Sequence, residues 1–323
     1  MTSSSDLNLE IMNFRHSTFI VLSLSALANA SVVKMNEEGM LYSESSALAN
    51  LQIDNRSSLV FPSRNLVGFT INVNFQGVAP SASQQAAFTN AAAAWMGRIS
   101  GYRGAMSVPS ITINATVEPD DGVGGTLGSA GPNLVSIQDE DGVAGGARFA
   151  LVTEGSMNFD SADIDNLEAG GSLGIVIEHE MGHVLGIGTL WNTDSIGGVY
   201  AGTQSLYVEN SGQFTGAGAV NQWQTEFGQA DAFVPVELSG GPGTANGHWN
   251  EVDNGAGLTG IAQVGAPAND MRNELMTGWL NSPAFVSQMT LESLGDIGYT
   301  VIPEPSSALL VILGLALGVR RRR

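Results

Sequence analysis

Apolar and polar residues alternate strictly from Phe69 to Phe75 (Phe69-Thr70-Ile71-Asn72-Val73-Asn74-Phe75), the period of a strand with one face buried. Ser81 or Ser83 then offers a cap for a helix whose Ala-rich stretch runs through Ala94 and Trp95. Alternation returns between Ile111 and Val117, predicting a second strand, and Ala147 to Thr153 reads as a third. Gly-rich loops are expected at Gly122–Gly131 and Gly142–Gly146. A longer helix is predicted from Ser172 to Leu185, with Ser172 as its cap and Gly186 as its stop. From Gly186 to Asn246 the chain is rich in Gly, Asn and Gln, which predicts loops and short strands with little helix. Thr290 is the expected cap of a last helix, Leu291 to Ile297, closed by Gly298-Tyr299. The mixture is an α+β pattern without internal repeats.

The two ends follow different rules. Arg15, the apolar run Phe19 to Leu27 and then Ala28-Asn29-Ala30 have the order of a secretory signal peptide over residues 1–30. Residues 31–66 are rich in Ser and Asn with weak periodicity, and read as an N-terminal extension or propeptide. The other end runs Val301-Ile302-Pro303-Glu304-Pro305, an apolar stretch from Ser306 to Val319, then Arg320 to Arg323. Arginines in that position stay on the cytoplasmic side, and the stretch is shorter than the ~20 residues of a stable span. This tail, residues 301–323, resembles the PEP-CTERM sorting signal of Gram-negative bacteria. The resemblance implies export to the cell surface or medium, with a transient membrane anchor handled by sorting machinery.

Composition narrows the chemistry. The net charge is −19, from 12 Lys and Arg against 31 Asp and Glu, which excludes a basic face for nucleic acid. There is no cysteine, so disulfides, thiolate ligands and cysteine nucleophiles are excluded. The acidity serves solubility or, in carboxylate-rich loops, Ca2+ binding. The stretches at issue are Asp120-Asp121, Asp139-Glu140-Asp141 and Asp160/Asp163/Asp165, none with the spacing of a calcium-loop motif.

One stretch carries specific chemistry: Glu178-His179-Glu180-Met181-Gly182-His183-Val184-Leu185-Gly186. Histidines four apart share one face of a helix and can bind a single Zn2+, with the intervening Glu180 beside the open coordination position as a general base. A catalytic zinc takes three protein ligands. Of the four histidines, His16 falls in the leader, so His248 is the spare imidazole. Glu251 and Glu226 are the carboxylate rivals. The Gly186 and Gly188 turn after His183 favours histidine, because a carboxylate ligand normally comes from a following helix.

The Gly turn resembles the metzincins. Their extended motif puts the third histidine six residues after the second, where this chain has Thr189. A third ligand returning after a long excursion resembles the leishmanolysin family of metzincin zinc peptidases. Asn273-Glu274-Leu275-Met276-Thr277-Gly278 looks like that family's Met-turn, with Met276 under the metal, and the Gly-His-Trp context of His248 fits as well. The resemblance spans roughly residues 67–300. It implies a metzincin-type zincin with a mixed twisted sheet, a catalytic subdomain 67–186 carrying the active-site helix, and a loop-rich subdomain 187–300 carrying the third ligand. It implies a metalloendopeptidase acting on protein or peptide substrates, with Glu180 catalytic, His179, His183 and His248 on Zn2+, and Gly186 and Met276 shaping the site. The absence of cysteine departs from the disulfide-rich eukaryotic members. The competing reading is an exported surface or matrix protein with a non-catalytic metal site.

Overall fold

The computed structural model describes residues 69–302, apart from 125–126, 241–243 and 252–257, together with three short strands nearer the N-terminus. The expected signal peptide, the PEP-CTERM tail from Pro303 onwards and most of residues 31–66 lie outside the described residues. In chain order the elements are β1 (Val32–Met35), β2 (Leu41–Ser43), β3 (Gln52–Ile53), β4 (Ile71–Phe75), α1 (Ala82–Arg98), β5 (Ile99–Tyr102) and β6 (Ile111–Glu118). Then come β7 (Gly128–Asp139), β8 (Arg148–Asp160), α2 (Ile164–Ala169), α3 (Leu173–Leu185), β9 (Gln213–Phe214), α4 (Ala217–Glu226) and β10 (Val234–Pro235). The last are β11 (Ala262–Gln263), β12 (Ala266–Asp270), α5 (Gln288–Asp296) and β13 (Tyr299–Val301).

The frame is a mixed α+β arrangement around a seven-stranded sheet ordered β2-β1-β7-β8-β6-β4, with β3 also paired to β7. β4, β6 and β8 run parallel to one another, while β7 is antiparallel to β8. The alternation read from the sequence is the burial pattern: Ile111, Ile113 and Ala115 are buried along β6, with half-buried residues between them. β8 is buried continuously from Phe149 to Thr153, as a central strand covered on both faces must be.

α1 begins where Ser81 predicts it. Ser81 Oγ accepts from Gln84 N at 3.2 Å, and Gln84 Oε1 accepts from Ser81 N at 2.9 Å, which closes a capping box. Its buried face, Phe88, Ala91, Ala92 and Trp95, packs towards α3. Trp95 Nε1 donates to Glu178 O at 2.9 Å, and Arg98 pairs with Glu178 at 2.5 Å, so α1 grips the helix that bears the histidines. α3 itself is buried almost all round, as its apolar composition requires. Gly155 on β8 makes that approach possible: a Cβ there would stand 2.4 Å from Val184 Cγ1 and 2.8 Å from Gly131 O.

Several local expectations are corrected. The glycine stretch 122–131 is not all loop, because β7 starts at Gly128 and takes its hydrogen bonds from β8. Ser172 stands before α3 but its side chain makes no capping bond. The last helix is capped by Ser287, which accepts from Thr290 N, rather than by Thr290. α4 interrupts the region expected to hold little helix. Among the described residues no helix is long and apolar enough to cross a membrane.

Replacing Gly155 by Ala forces a methyl into the α3 contact. The expected result is a loss of about 1–3 kcal/mol in urea unfolding, the usual cost of overpacking. Unchanged stability would show that α3 does not press on β8 at this point.

Candidate metal centre

α3 puts His179 and His183 one turn apart on the same face, both almost wholly buried. Gly186 then ends the helix in the left-handed region, with φ +113°, where a Cβ would meet Ile297 and Leu190 at 2.9 Å. Thr189, at the position where the resemblance would place a third histidine, instead donates its hydroxyl to His183 O at 3.0 Å. The chain leaves through β9, α4 and β10 and comes back at His248, which has no solvent exposure.

The return is fixed by backbone. Gly188 has φ +73°, and a Cβ on it would lie 2.2 Å from Gly247 O and 2.8 Å from Gly247 Cα. No side chain fits between the turn after α3 and the residue preceding His248. Glu237 N donates to His248 O at 2.9 Å, and Trp249 N donates to Met276 O at 3.0 Å. Trp249 stacks on Trp191 with centroids 4.7 Å apart, and its Nε1 donates to Thr290 Oγ1 at 2.8 Å.

The three imidazoles meet at their Nε2 atoms. His179 to His183 is 3.0 Å, and each is 3.1 Å from His248. Each ring's other nitrogen faces a backbone carbonyl: His179 Nδ1 to Leu275 O at 2.6 Å, His183 Nδ1 to Ile187 O at 3.0 Å, His248 Nδ1 to Thr244 O at 3.0 Å. A carbonyl only accepts, so each Nδ1 carries the proton and each Nε2 is left as a bare lone pair. Three lone pairs at this spacing cannot hydrogen-bond to one another. They form a group that can hold a metal ion, and it is the sole such cluster of His, Cys, Asp or Glu found among the described residues. Imidazole donors suit zinc and other transition metals. Burial, then the neighbouring His183, lowers His179 to about 3, and burial lowers His183 to about 4. His248 is pushed well below its ordinary value by the same burial and its two neighbours. All three rings are therefore neutral near pH 7, the form that binds metal.

Glu180 is fully buried, and neither carboxylate oxygen has a hydrogen-bond partner. Desolvation holds its pKa well above the ordinary carboxylate value. Met276 lies against the helix between the two histidines: a Cβ on Gly182 would be 2.6 Å from its Sδ. The carboxylate rivals stand elsewhere. Glu226 accepts from Gln288 N and Met289 N at the start of α5. Glu251 lies outside the cluster, raised to about 8 by burial and by Glu237.

Sequence reading passed over Glu274. It is buried, with Oε2 accepting from Met276 N at 2.7 Å. Its Oε1 accepts from Ser287 N at 3.0 Å, Ser287 Oγ at 2.9 Å and Thr290 Oγ1 at 2.6 Å. One carboxylate thus fixes the turn that supplies Met276 and the Leu275 carbonyl, and ties it to α5. The signal was present as a glutamate inside an apolar turn motif.

No protein-family model matches the chain, and no curated protein matches it.

Two outcomes follow. Gly188→Ala pushes Gly247 away, so metal content of the purified variant, read by elemental analysis, is expected to fall at least tenfold; a normal content would show that Gly247 yields without moving His248. Stripping the metal with a chelator is expected to lower Tm by at least about 5 °C, restored by zinc, since an ion bound only by the folded state stabilises it. A Tm indifferent to chelation and zinc would mean that the three histidines hold no ion.

Proposed function

We propose that the chain is an exported zinc-dependent metalloendopeptidase of the leishmanolysin-like metzincin type. The observation that carries this reading is Glu180. It follows His179 directly on α3, is cut off from solvent, and has neither oxygen engaged. A structural zinc site is closed by four protein ligands and has no use for such a group, whereas a catalytic site keeps a position open. His179, His183 and His248 would hold the zinc.

A zinc ion bound by these three residues would supply Lewis acidity for a scissile carbonyl and for a water molecule. Glu180 would take a proton from the attacking water and return it to the leaving amine. Burial raises its pKa above the ordinary carboxylate value, which strengthens it as a proton acceptor. The carbonyls of Leu275, Ile187 and Thr244 hold the imidazoles in one tautomer and orientation. Gly182, bare against Met276, lets the turn at 274–277 sit directly on the helix.

The metzincin assignment is supported by the Gly186 stop, the Met276 packing and the distant return of His248. The signal-peptide order at residues 1–30 and the Pro-Glu-Pro, apolar, arginine order of the tail support export with transient anchoring. A non-catalytic surface protein is the competing reading, and Glu180 separates the two.

Glu180→Ala is expected to keep full zinc content and lose casein hydrolysis by at least about a thousandfold, the scale of a lost general base and its positioning. A Glu180→Ala protein as active as the parent would overturn the mechanism. Zinc in both proteins with hydrolysis in neither would favour the non-catalytic reading.

A further inference from the structure

Among the described residues, two that are not glycine have positive φ: Asn210 at +62° and Asn246 at +69°. Both lie in the left-handed region, which asparagine tolerates better than most residues. They also hold each other. Asn210 N donates to Asn246 Oδ1 at 2.8 Å, and Asn246 Nδ2 donates to Asn210 Oδ1 at 3.2 Å. The Tyr207 hydroxyl donates to the same Asn246 Oδ1. A backbone N–H can only donate, so the orientation of the Asn246 amide is fixed.

Each asparagine sits in a turn. Ser211 N donates to Val208 O at 2.9 Å around Asn210, and Gly247 N reaches Thr244 O at 3.5 Å around Asn246. The first turn leads into β9 and is anchored in the core by Tyr207, which is 6% exposed and has its ring centroid 5.9 Å from that of Trp191. The second turn ends at His248, and its Thr244 carbonyl takes the Nδ1 proton of that ring at 3.0 Å. The backbone of the second turn is already tethered, because Asn246 N donates to Glu237 O at 2.7 Å. The side-chain amide adds a separate tie, joining the turn that carries the third imidazole to one 36 residues earlier. If a φ of +69° were the sole requirement, glycine would serve at 246, as it does at the other left-handed positions.

We infer that Asn246 is a positioning residue for the candidate metal centre: its amide, clamped by Tyr207 and Asn210, fixes the Thr244–His248 turn so that His248 Nε2 stands 3.1 Å from the other two. A turn free to rotate would carry the Thr244 carbonyl away from Nδ1 and let the ring swing out of the cluster. Groups that orient a ligating imidazole typically change metal affinity by about tenfold to a hundredfold when lost. The role rests on the reading of the three histidines as a metal centre, and holds whether or not the chain is a peptidase.

The test compares the full chain with its Asn246→Gly and Tyr207→Phe variants. Asn246→Gly keeps access to the left-handed region and removes the amide. Tyr207→Phe keeps the ring and removes one donor. Zinc affinity is read by competition with a chelating dye, and the geometry of the three nitrogens by the visible spectrum of Co2+ bound in place of zinc. Asn246→Gly is expected to weaken zinc binding at least about tenfold and to change the Co2+ spectrum. Tyr207→Phe is expected to shift both readings in the same direction by less. An Asn246→Gly protein with the parent's zinc affinity would overturn the proposal. So would one with weaker affinity but the parent's Co2+ spectrum, because a general loosening of the fold lowers affinity without altering the bound geometry. If Asn246→Gly fails to fold, Tyr207→Phe decides by the same two readings. A parent that binds neither ion would overturn the metal centre itself, and this role with it.

Discussion

Everything around the candidate metal centre depends on where three protons sit. Each imidazole gives its Nδ1 proton to a main-chain carbonyl, and only then do three Nε2 lone pairs face one point. Those carbonyls come from unrelated stretches: Leu275 from the Met276 turn, Ile187 from the residues that end α3, and Thr244 from the segment preceding His248. The tautomer of each ring is therefore a property of the tertiary fold. Moving any of the three stretches would let a ring turn, and a turned ring would present a proton where a lone pair is needed.

The surrounding packing reads as a means of holding those stretches still. Glu274 spends its two oxygens on Met276 N, Ser287 and Thr290, and Thr290 in turn receives the Trp249 indole. That chain of bonds links the turn below α3 to the residue after His248. β13 pairs with β5 and so brings the end of the described chain back beside the end of α1. Trp95 completes the circuit by bonding from α1 to α3. Buried polar groups connected this way are costly to leave half-satisfied, which makes the arrangement rigid once formed.

Much of this is legible in the amino-acid sequence. The His179–Glu180–His183 spacing, the Gly186 stop and the Ser81 cap are short-range signals, each decided within one helical turn. His248 follows from counting imidazoles, not from a pattern. What the sequence hides is decided at long range. α4 buries only Ala219 and Trp223 among the residues of its span and has no side-chain cap, so its sequence carries little helical period. β7 begins in a Gly-rich stretch because β8 supplies its partners, and glycine permits the contact at Gly155. Ser287 and Thr290 are both good caps by composition. Ser287 holds the position: α5 begins at Gln288, and Ser287 Oγ accepts from Thr290 N at 3.0 Å, with Thr290 already inside the helix. The acidic stretches look alike in sequence, and only their neighbours separate Glu140, paired with Arg103, from Asp163, whose Oδ2 has no partner.

The Gly188–Gly247 contact has a wider consequence. It pins both ends of the 189–246 excursion at one place, next to the three histidines, so what lies between is a closed loop. The entropy of closing such a loop grows only with the logarithm of its length. Its exposed turns can therefore change length at little entropic cost, while Thr244, Glu237 and Trp191 within it stay tied to the His248 segment. An engineer can graft into those exposed turns, provided the two glycines, Thr244 and Glu237 keep their contacts at the third imidazole.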